Sequence, residues 1–401
     1  MKLCTTKTAL FSAILAVSAG VNAEEKSYSS LQEFLKDSTP TGDFNLRYED
    51  VDVDGGSSSD GLTLRSRFGF KTAAYKGFSA VLEVEDVRDV MGIDDEGGLV
   101  PDPEVTEIDQ AFVQYKTDMV TAKLGRQVIT LDGHRFVGHV GWRQDRQTFD
   151  AARVIYTPMK DLTVDASYIY KRNRIFAETA DANSSDLLLN VSYITPIGKV
   201  AGYYYGLDDE NEGLAFPQSD TYGGFLSGST KGDVSFLYHA EIATQSIELD
   251  NGEEFDADYY SLEAGVKLSG VTIKVGQELL GSDDGDVSFT TPLATLHKFN
   301  GWSDVTLGGV FNPVAMPNGL EDRYFSVGGS VAGINLKAAY HLFSADEGGE
   351  DYGSELELQA TKKLKGGFVV GAKYAAFSDE EDEGTFGADV DKLWIWTGFK
   401  F

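Results

Sequence analysis

Residues 123–153 read KLGRQVITLDGHRFVGHVGWRQDRQTFDAAR and contain five arginines and two histidines, although the whole chain carries a formal net charge of -30. The segments VTAKL and AARVIY at its two ends alternate in polarity as β-strands do. This arrangement predicts a long arginine-rich loop at the end of a β-hairpin, rather than a helix or a domain linker. The concentration of positive charge in an acidic chain is the first indication of function.

Apolar and polar residues alternate, with a period of two, along the chain on both sides of this hairpin. Phe44, Leu46 and Tyr48 alternate with polar residues near the start, and Leu336 and Tyr340 do so near the end. Each segment therefore has one apolar and one polar face. Because a soluble β-sandwich shows the same alternation, the turns must decide between the two architectures.

Two kinds of turn alternate along the sequence. The short ones contain a few residues around Gly77, Gly270 or Gly333, whereas the long ones are acidic and include residues 91–104 and 282–320. Short periplasmic turns and long external loops are typical of outer-membrane barrels. Counting the segments between the turns predicts an all-β fold, a transmembrane antiparallel β-barrel of eighteen strands, in which 282–320 is one external loop.

The start of the chain indicates export. Residues 1–23 have the positive start, apolar middle and small-residue end of a signal peptide. Residues 24–41 are expected to form a periplasmic N-terminal arm, and residues 42–401 the outer-membrane barrel. The single cysteine, Cys4, is removed with the signal peptide, which excludes a disulfide framework. The predicted localisation is the bacterial outer membrane, and the aromatic C-terminal residue Phe401 is typical of such barrels.

Two motifs carry a resemblance to a known family. The run GRQVITLDGHRFVGHVGWRQDRQTFDAARVIY at 125–156 and the run TPLATLHKFNGWSD at 291–304 resemble the alginate-export family of outer-membrane β-barrels, which are porin-like. The resemblance implies an eighteen-stranded barrel whose arginine-lined constriction passes an anionic polysaccharide. It assigns the lining role to Arg126, Arg135, Arg143, Arg146 and Arg153. The compact, acidic loops depart from the family, so the resemblance supports the architecture better than the cargo.

Alternation adds further cations to the predicted pathway, because Arg47, Arg65, Arg67 and Arg153 fall on the polar faces of their strands. An arginine facing lipid at mid-bilayer would cost roughly 2 to 4 kcal/mol, so the inward orientation is preferred. Arg126 breaks the alternation, which predicts a bulge or a strand end. The predicted substrate pathway comprises Arg47, Arg65, Arg67, Lys123, Arg126, Arg135, Arg143, Arg146, Arg153, Lys171, Arg172 and Arg174.

Two interpretations of these cations remain open at this stage. They either select anions, as rings of arginine and lysine do in other channels, or they neutralise lumenal acids such as Glu49, Glu83 and Glu85. The first interpretation predicts a pore that prefers chloride to potassium. It also predicts that replacing two or three arginines by glutamate reverses the preference without unfolding the barrel.

Other kinds of site have weaker support. The histidines show no HExxH pair and no metal-ligand spacing, and no cofactor or catalytic residue is expected. Asp50, Asp52 and Asp54 resemble the start of a calcium loop, but its twelfth position is Gly61, so they are only a weak metal candidate. Aromatic residues near strand ends are expected to form interface girdles rather than platforms for sugars.

The sequence therefore predicts an outer-membrane channel that passes anionic or sugar-like solutes without chemistry. A general diffusion porin and a structural or adhesin barrel with a plugged lumen are the alternatives. Expected partners are outer-membrane lipid, lipopolysaccharide, the solute and a possible periplasmic protein, with no nucleic acid. Residues 282–320 are expected to form a lid or constriction, because TPLATLHKFNGW is more apolar than an exposed loop needs to be.

Overall fold

The structure is a computed structural model that describes residues 28, 30–56, 58–92, 99–209, 218–379 and 387–401. The predicted signal peptide lies outside these residues. Within the described ranges, no helix is both long enough and apolar enough to cross a membrane. A short helix, α1 (Leu31–Lys36), precedes the first strand, and the Ser30 side chain caps it by accepting a hydrogen bond from the Glu33 amide.

One antiparallel sheet of eighteen strands forms the body of the protein, and β14 (Ser282–Asp283) and β15 (Val287–Ser288) form a separate two-stranded ribbon. The strands of the large sheet are β1 (Thr39–Val53), β2 (Ser58–Lys71), β3 (Phe78–Asp89), β4 (Val105–Lys116), β5 (Val120–Gln127), β6 (Thr148–Met159), β7 (Leu162–Asn173), β8 (Ala182–Thr195), β9 (Gly198–Leu207), β10 (Gln218–Ser229), β11 (Val234–Glu248), β12 (Glu254–Leu268), β13 (Val271–Leu280), β16 (Leu320–Val331), β17 (Ile334–Ser344), β18 (Asp351–Lys363), β19 (Phe368–Ser378) and β20 (Val390–Lys400). β1 pairs with both β2 and β20, so the sheet closes into a barrel. The predicted fold class is confirmed, although β1 begins at Thr39 rather than at residue 42.

The barrel is apolar outside and polar inside. On β2, Arg65 and Arg67 are 4% and 3% exposed, whereas Phe68 on the opposite face is 56% exposed. Leu124 and Ile242 are likewise 61% and 69% exposed. An apolar outer surface with buried charges inside is the distribution that a strand needs when one face meets lipid.

The two ends of the barrel differ as the turn pattern predicts. At one end the hairpins are tight: Ser269 and Gly270 join β12 to β13, and both have positive φ, as a type I′ turn requires. At the other end, two long connections carry most of the irregular structure. We call residues 128–147, between β5 and β6, loop A, and residues 281–319, between β13 and β16, loop B.

Loop B contains local structure of its own. It includes a small ribbon, β14 (Ser282–Asp283) paired with β15 (Val287–Ser288), and a short helix, α2 (Leu307–Phe311). The helix includes most of the VTLGGVF segment, which therefore is not a barrel strand. Buried apolar side chains of this loop, among them Phe289 and Leu293, join one hydrophobic cluster with Ile129 and Phe136 of loop A.

Candidate functional site

Loops A and B fold into the barrel and bind each other there. Val137 and Leu293 form a parallel β-bridge, and the Gly138 amide donates to the Leu293 carbonyl at 2.8 Å. The Thr295 amide donates to the His134 carbonyl at 3.0 Å. These backbone contacts join the two loops to each other inside the barrel.

Charged side chains of the wall hold loop A in place. Arg47 donates to the Trp142 carbonyl, and Arg67 donates to the Gln144 carbonyl at 2.9 Å. In the other direction, Arg143 of the loop donates to Glu49 on β1 at 2.9 Å. These groups are buried, so each contact replaces water that the charge would otherwise require.

Loop B is held by wall residues on β18 and β11. The Glu355 carboxylate on β18 accepts hydrogen bonds from the Trp302 and Ser303 amides, the latter at 3.1 Å. On β11, the Gln245 side chain accepts from the Thr290 amide at 2.9 Å and donates to the Thr290 carbonyl at 3.0 Å. One loop thus contacts strands that lie far apart around the barrel, which is possible only from within it.

A buried lysine collects aromatic rings from both loops and the wall. The Lys373 ammonium lies 3.6 Å from the Trp302 ring centre and 4.3 Å from that of Trp142. Trp394 of β20 is 5.4 Å away, and Trp396 packs edge-on against Trp142. All four tryptophans of the chain therefore meet inside the barrel. The interface-girdle prediction is wrong for them, because they pack around the buried Lys373 and against one another inside the barrel.

Most of the cations predicted for the pathway form ion pairs with carboxylates. The pairs are Arg47–Asp102, Arg65–Asp43, Arg67–Glu85, Arg126–Asp150, Arg135–Glu278, Arg143–Glu49, Arg146–Asp109, Arg153–Asp165, Lys171–Asp181 and Arg172–Asp186. Arg47, Arg67 and Arg143 are at most 4% exposed. The contacts match the interpretation in which lumenal arginines neutralise Glu49, Glu83 and Glu85, since Arg146 also bonds Glu83 at 2.6 Å.

The set does not converge on one place. Arg135, Arg143 and Arg146 belong to loop A; Arg135 pairs with Glu278 on β13, whereas Arg143 and Arg146 pair with acids on the nearby strands β1, β3 and β4. The sequence predicted either a bulge or a strand end at Arg126, and the structure places it near the end of β5. Arg126 pairs across the sheet with Asp150. The remaining members have other contacts. Lys123 packs over the Phe112 ring at 4.8 Å, and Arg174 donates to the Pro292 carbonyl at 2.9 Å.

A cavity of about 730 Å³ lies between loops A and B and the wall formed by β9–β13 and β16–β18. Its apolar side is aromatic: the Tyr203 and Tyr205 rings stack at 4.7 Å, and Phe136 lies 5.1 Å from Tyr203. Its polar side contains acids and bases in similar number. A cavity of this size fits a small solute rather than a wide water-filled pore.

One cation of this cavity differs from the others. Lys199, Lys274 and Lys337 pair with Asp132, Glu263 and Glu357, and Arg135 pairs with Glu278. Among the described residues, Lys298 alone of the cavity lysines has no carboxylate partner: it donates to the Gly133 carbonyl at 2.6 Å and packs over Phe299. Burial and the nearby charges of Lys274 and Lys337 lower the pKa of Lys298. A solute anion would relieve this repulsion.

Several sites were predicted less well by the sequence. Lys298 was not singled out, although it lies in the quoted TPLATLHKFNGWSD motif, and Lys373 gives no signal beyond a strand position. Asp50, Asp52 and Asp54 do not form a ligand set within the described ranges. The one group of three metal-ligating side chains found there is Glu85, Glu107 and Asp145.

Comparisons with known proteins agree on the architecture. Residues 44–274 match the family model described as Alginate export. The outer membrane protein OpdK from Pseudomonas aeruginosa has a similar structure, with a TM-score of 0.72, 11% identity, and coverage of 92% of this chain and 99% of that one. Acinetobacter baumannii OccAB4 gives a TM-score of 0.70 at 12% identity, covering 91% and 98%. At such identity the likeness shows the fold alone. A comparison with curated proteins gives no match.

Proposed function

Since the chain belongs to the alginate-export family and forms an outer-membrane β-barrel of porin type, we propose that it is a selective channel for small anionic or sugar-like solutes. The predicted family and localisation are confirmed; the solute is the subject of the proposal. We assign the channel no catalytic step, and its partners are the lipid around it and the solute within it.

The observation that carries this proposal is Lys298 in the cavity below loops A and B. An ammonium without a carboxylate partner, close to Lys274 and Lys337, favours a solute carboxylate or sulfate. The Tyr203 and Tyr205 rings on the aromatic side supply flat apolar faces with hydroxyl groups, which suits the alternating apolar and polar surface of a sugar ring. A uronate combines both features, so it is the solute class that fits the lining best.

Loops A and B are proposed to form the constriction of this channel. They join each other at the bridge between Val137 and Leu293, they contact the wall, and they line the cavity of about 730 Å³. Replacing residues 284–316 by a short glycine-serine linker should raise single-channel conductance several-fold. Unchanged conductance in a correctly folded barrel would remove the loops from the permeation path.

Reversal potentials and solute block in planar bilayers test the proposed function. A salt gradient should give a potential that indicates chloride preference, and galacturonate should reduce the ion current at lower concentration than neutral galactose does. The pairing of the arginines favours a second candidate, a general diffusion porin. Potassium preference together with equal effects of the two sugars would support that candidate and exclude the selective channel.

A further inference from the structure

Three carboxylates from different parts of the chain meet near the loop end of the barrel. Glu85 lies on β3, Glu107 on β4, and Asp145 in loop A. Each offers an oxygen atom, and these oxygens all lie within 4.8 Å of one another. Of the three, Glu85 alone has an arginine partner among the described ion pairs, Arg67, and carboxylates so close together repel each other in a buried environment.

Two of these side chains have an oxygen atom that nothing in the structure satisfies. Glu85 accepts a hydrogen bond from the Arg67 guanidinium through Oε2, and Asp145 accepts one from the Ala177 amide through Oδ2 at 3.0 Å. The other oxygens, Glu85 Oε1 and Asp145 Oδ1, are buried without a hydrogen-bond partner. Both residues are 0% exposed, so bulk water does not solvate these atoms.

A cation between the oxygens accounts for this geometry. The three ligand oxygens lie within 4.8 Å of one another, and Glu85 Oε1 and Asp145 Oδ1 accept no hydrogen bond in the described structure. Buried oxygens that lie this close together without a donor suit a cation between them.

We propose that Glu85, Glu107 and Asp145 bind a divalent cation, with Ca²⁺ as the best match. Ca²⁺ prefers oxygen ligands in a flexible shell that water can complete, and no nitrogen or sulfur ligand belongs to the group. Glu107 is only half-buried, which gives the ion a route from the external medium.

A bound ion would also have a structural role. The ion would tie loop A to β3 and β4, beside the contact that Arg67 already makes with the Gln144 carbonyl.

Isothermal titration of Ca²⁺ into the purified protein, in detergent free of lipopolysaccharide, tests the site. Wild type should bind one ion with a dissociation constant of about 10⁻⁴ to 10⁻³ M, the range of extracellular sites. Asp145→Asn should abolish this binding, yet it should fold, because it removes one of three repelling charges. Asp52→Asn, at an exposed strand end, is the matched control and should bind as wild type does.

The thermal midpoint, measured with and without Ca²⁺, distinguishes a bound cation from a bound proton. Ca²⁺ at about ten times its dissociation constant should raise the thermal midpoint of wild type by about 3 °C, with no shift in Asp145→Asn. No Ca²⁺ binding by wild type, retained binding by Asp145→Asn, or loss of binding in Asp52→Asn would each overturn the proposal. These results are independent of channel selectivity, since no solute or membrane is present.

Discussion

The Lys373 ammonium on β19 lies 2.7 Å from Nε2 of His297 in loop B, and this contact sits within the cluster of tryptophan rings. The other nitrogen of His297 lies 2.9 Å from the Asp304 carboxylate. Lys373 is 4% exposed, so its charge is compensated by aromatic faces and by this relay rather than by water. A single wall residue thus joins loop A, through Trp142, to loop B, through His297 and Trp302.

Lys373→Met should release both loops from the wall. Methionine fills similar volume but removes the charge, and each desolvated cation–π contact contributes up to about 2 kcal/mol. We expect a red-shifted tryptophan emission, since all four tryptophans surround this site, and larger, noisier single-channel currents. Lys363→Met, at the exposed end of β18, is the control and should leave both signals unchanged. Wild-type emission from the Lys373 variant would mean that packing alone holds the loops.

Arg146→Glu should destabilise loop A instead of simply reversing the selectivity of the pore. Arg146 binds Glu83 and Asp109 together, so a third carboxylate there would leave Glu83 without its arginine and Asp109 with Arg67 alone, at 4.0 Å. Removing one partner of a buried pair typically costs about 3 to 5 kcal/mol. The variant should lose the difference in gel migration between heated and unheated samples at a lower temperature. Arg88→Glu, at an exposed pair, should migrate as wild type does.

This prediction revises the expectation that several arginines can be exchanged for glutamate without harm. The barrel itself was predictable, because strand period and turn length are local properties of the sequence. The partners of the arginines were not: Arg135 and Glu278 are 143 positions apart, and no sequence period connects them. The same holds for Lys373, whose aromatic neighbours come from two loops and β20. Pairing within the lumen depends on how the loops fold inward, which alternation does not encode.

Acid should weaken the docking of loop A through His139. Burial, together with the charges of Arg146, His134 and Arg67, lowers the pKa of His139 to about 4, while Asp109 opposes them. Because the folded pKa lies below the unfolded value of about 6.5, the stability contributed by neutral His139 is present above pH 6.5. It is lost as the pH falls through 4.

Single-channel recordings between pH 7 and pH 4 measure this effect. Wild type should show more frequent conductance transitions as the pH falls, because a protonated His139 repels the neighbouring arginines. His139→Gln cannot gain that charge and should show a flatter response. An equal pH response in both proteins would assign the transitions to other groups, such as the acids in the external loops.

Charge selectivity should depend on Lys298 more than on the arginines. The paired arginines contribute little net field, whereas the Lys298 ammonium has no carboxylate partner in the described cavity and lies near Lys274 and Lys337. External carboxylates beyond about 8 to 10 Å are screened at physiological salt, so the chain's charge of -30 does not set the field inside.

Lys298→Glu should therefore shift the reversal potential toward potassium and weaken galacturonate block at least tenfold. Lys298→Gln should give an intermediate value, and Arg323→Glu, exposed on β16, should match wild type. If Lys298→Glu and Arg323→Glu shift the potential equally, selectivity comes from the overall surface charge and the cavity is not the selective site.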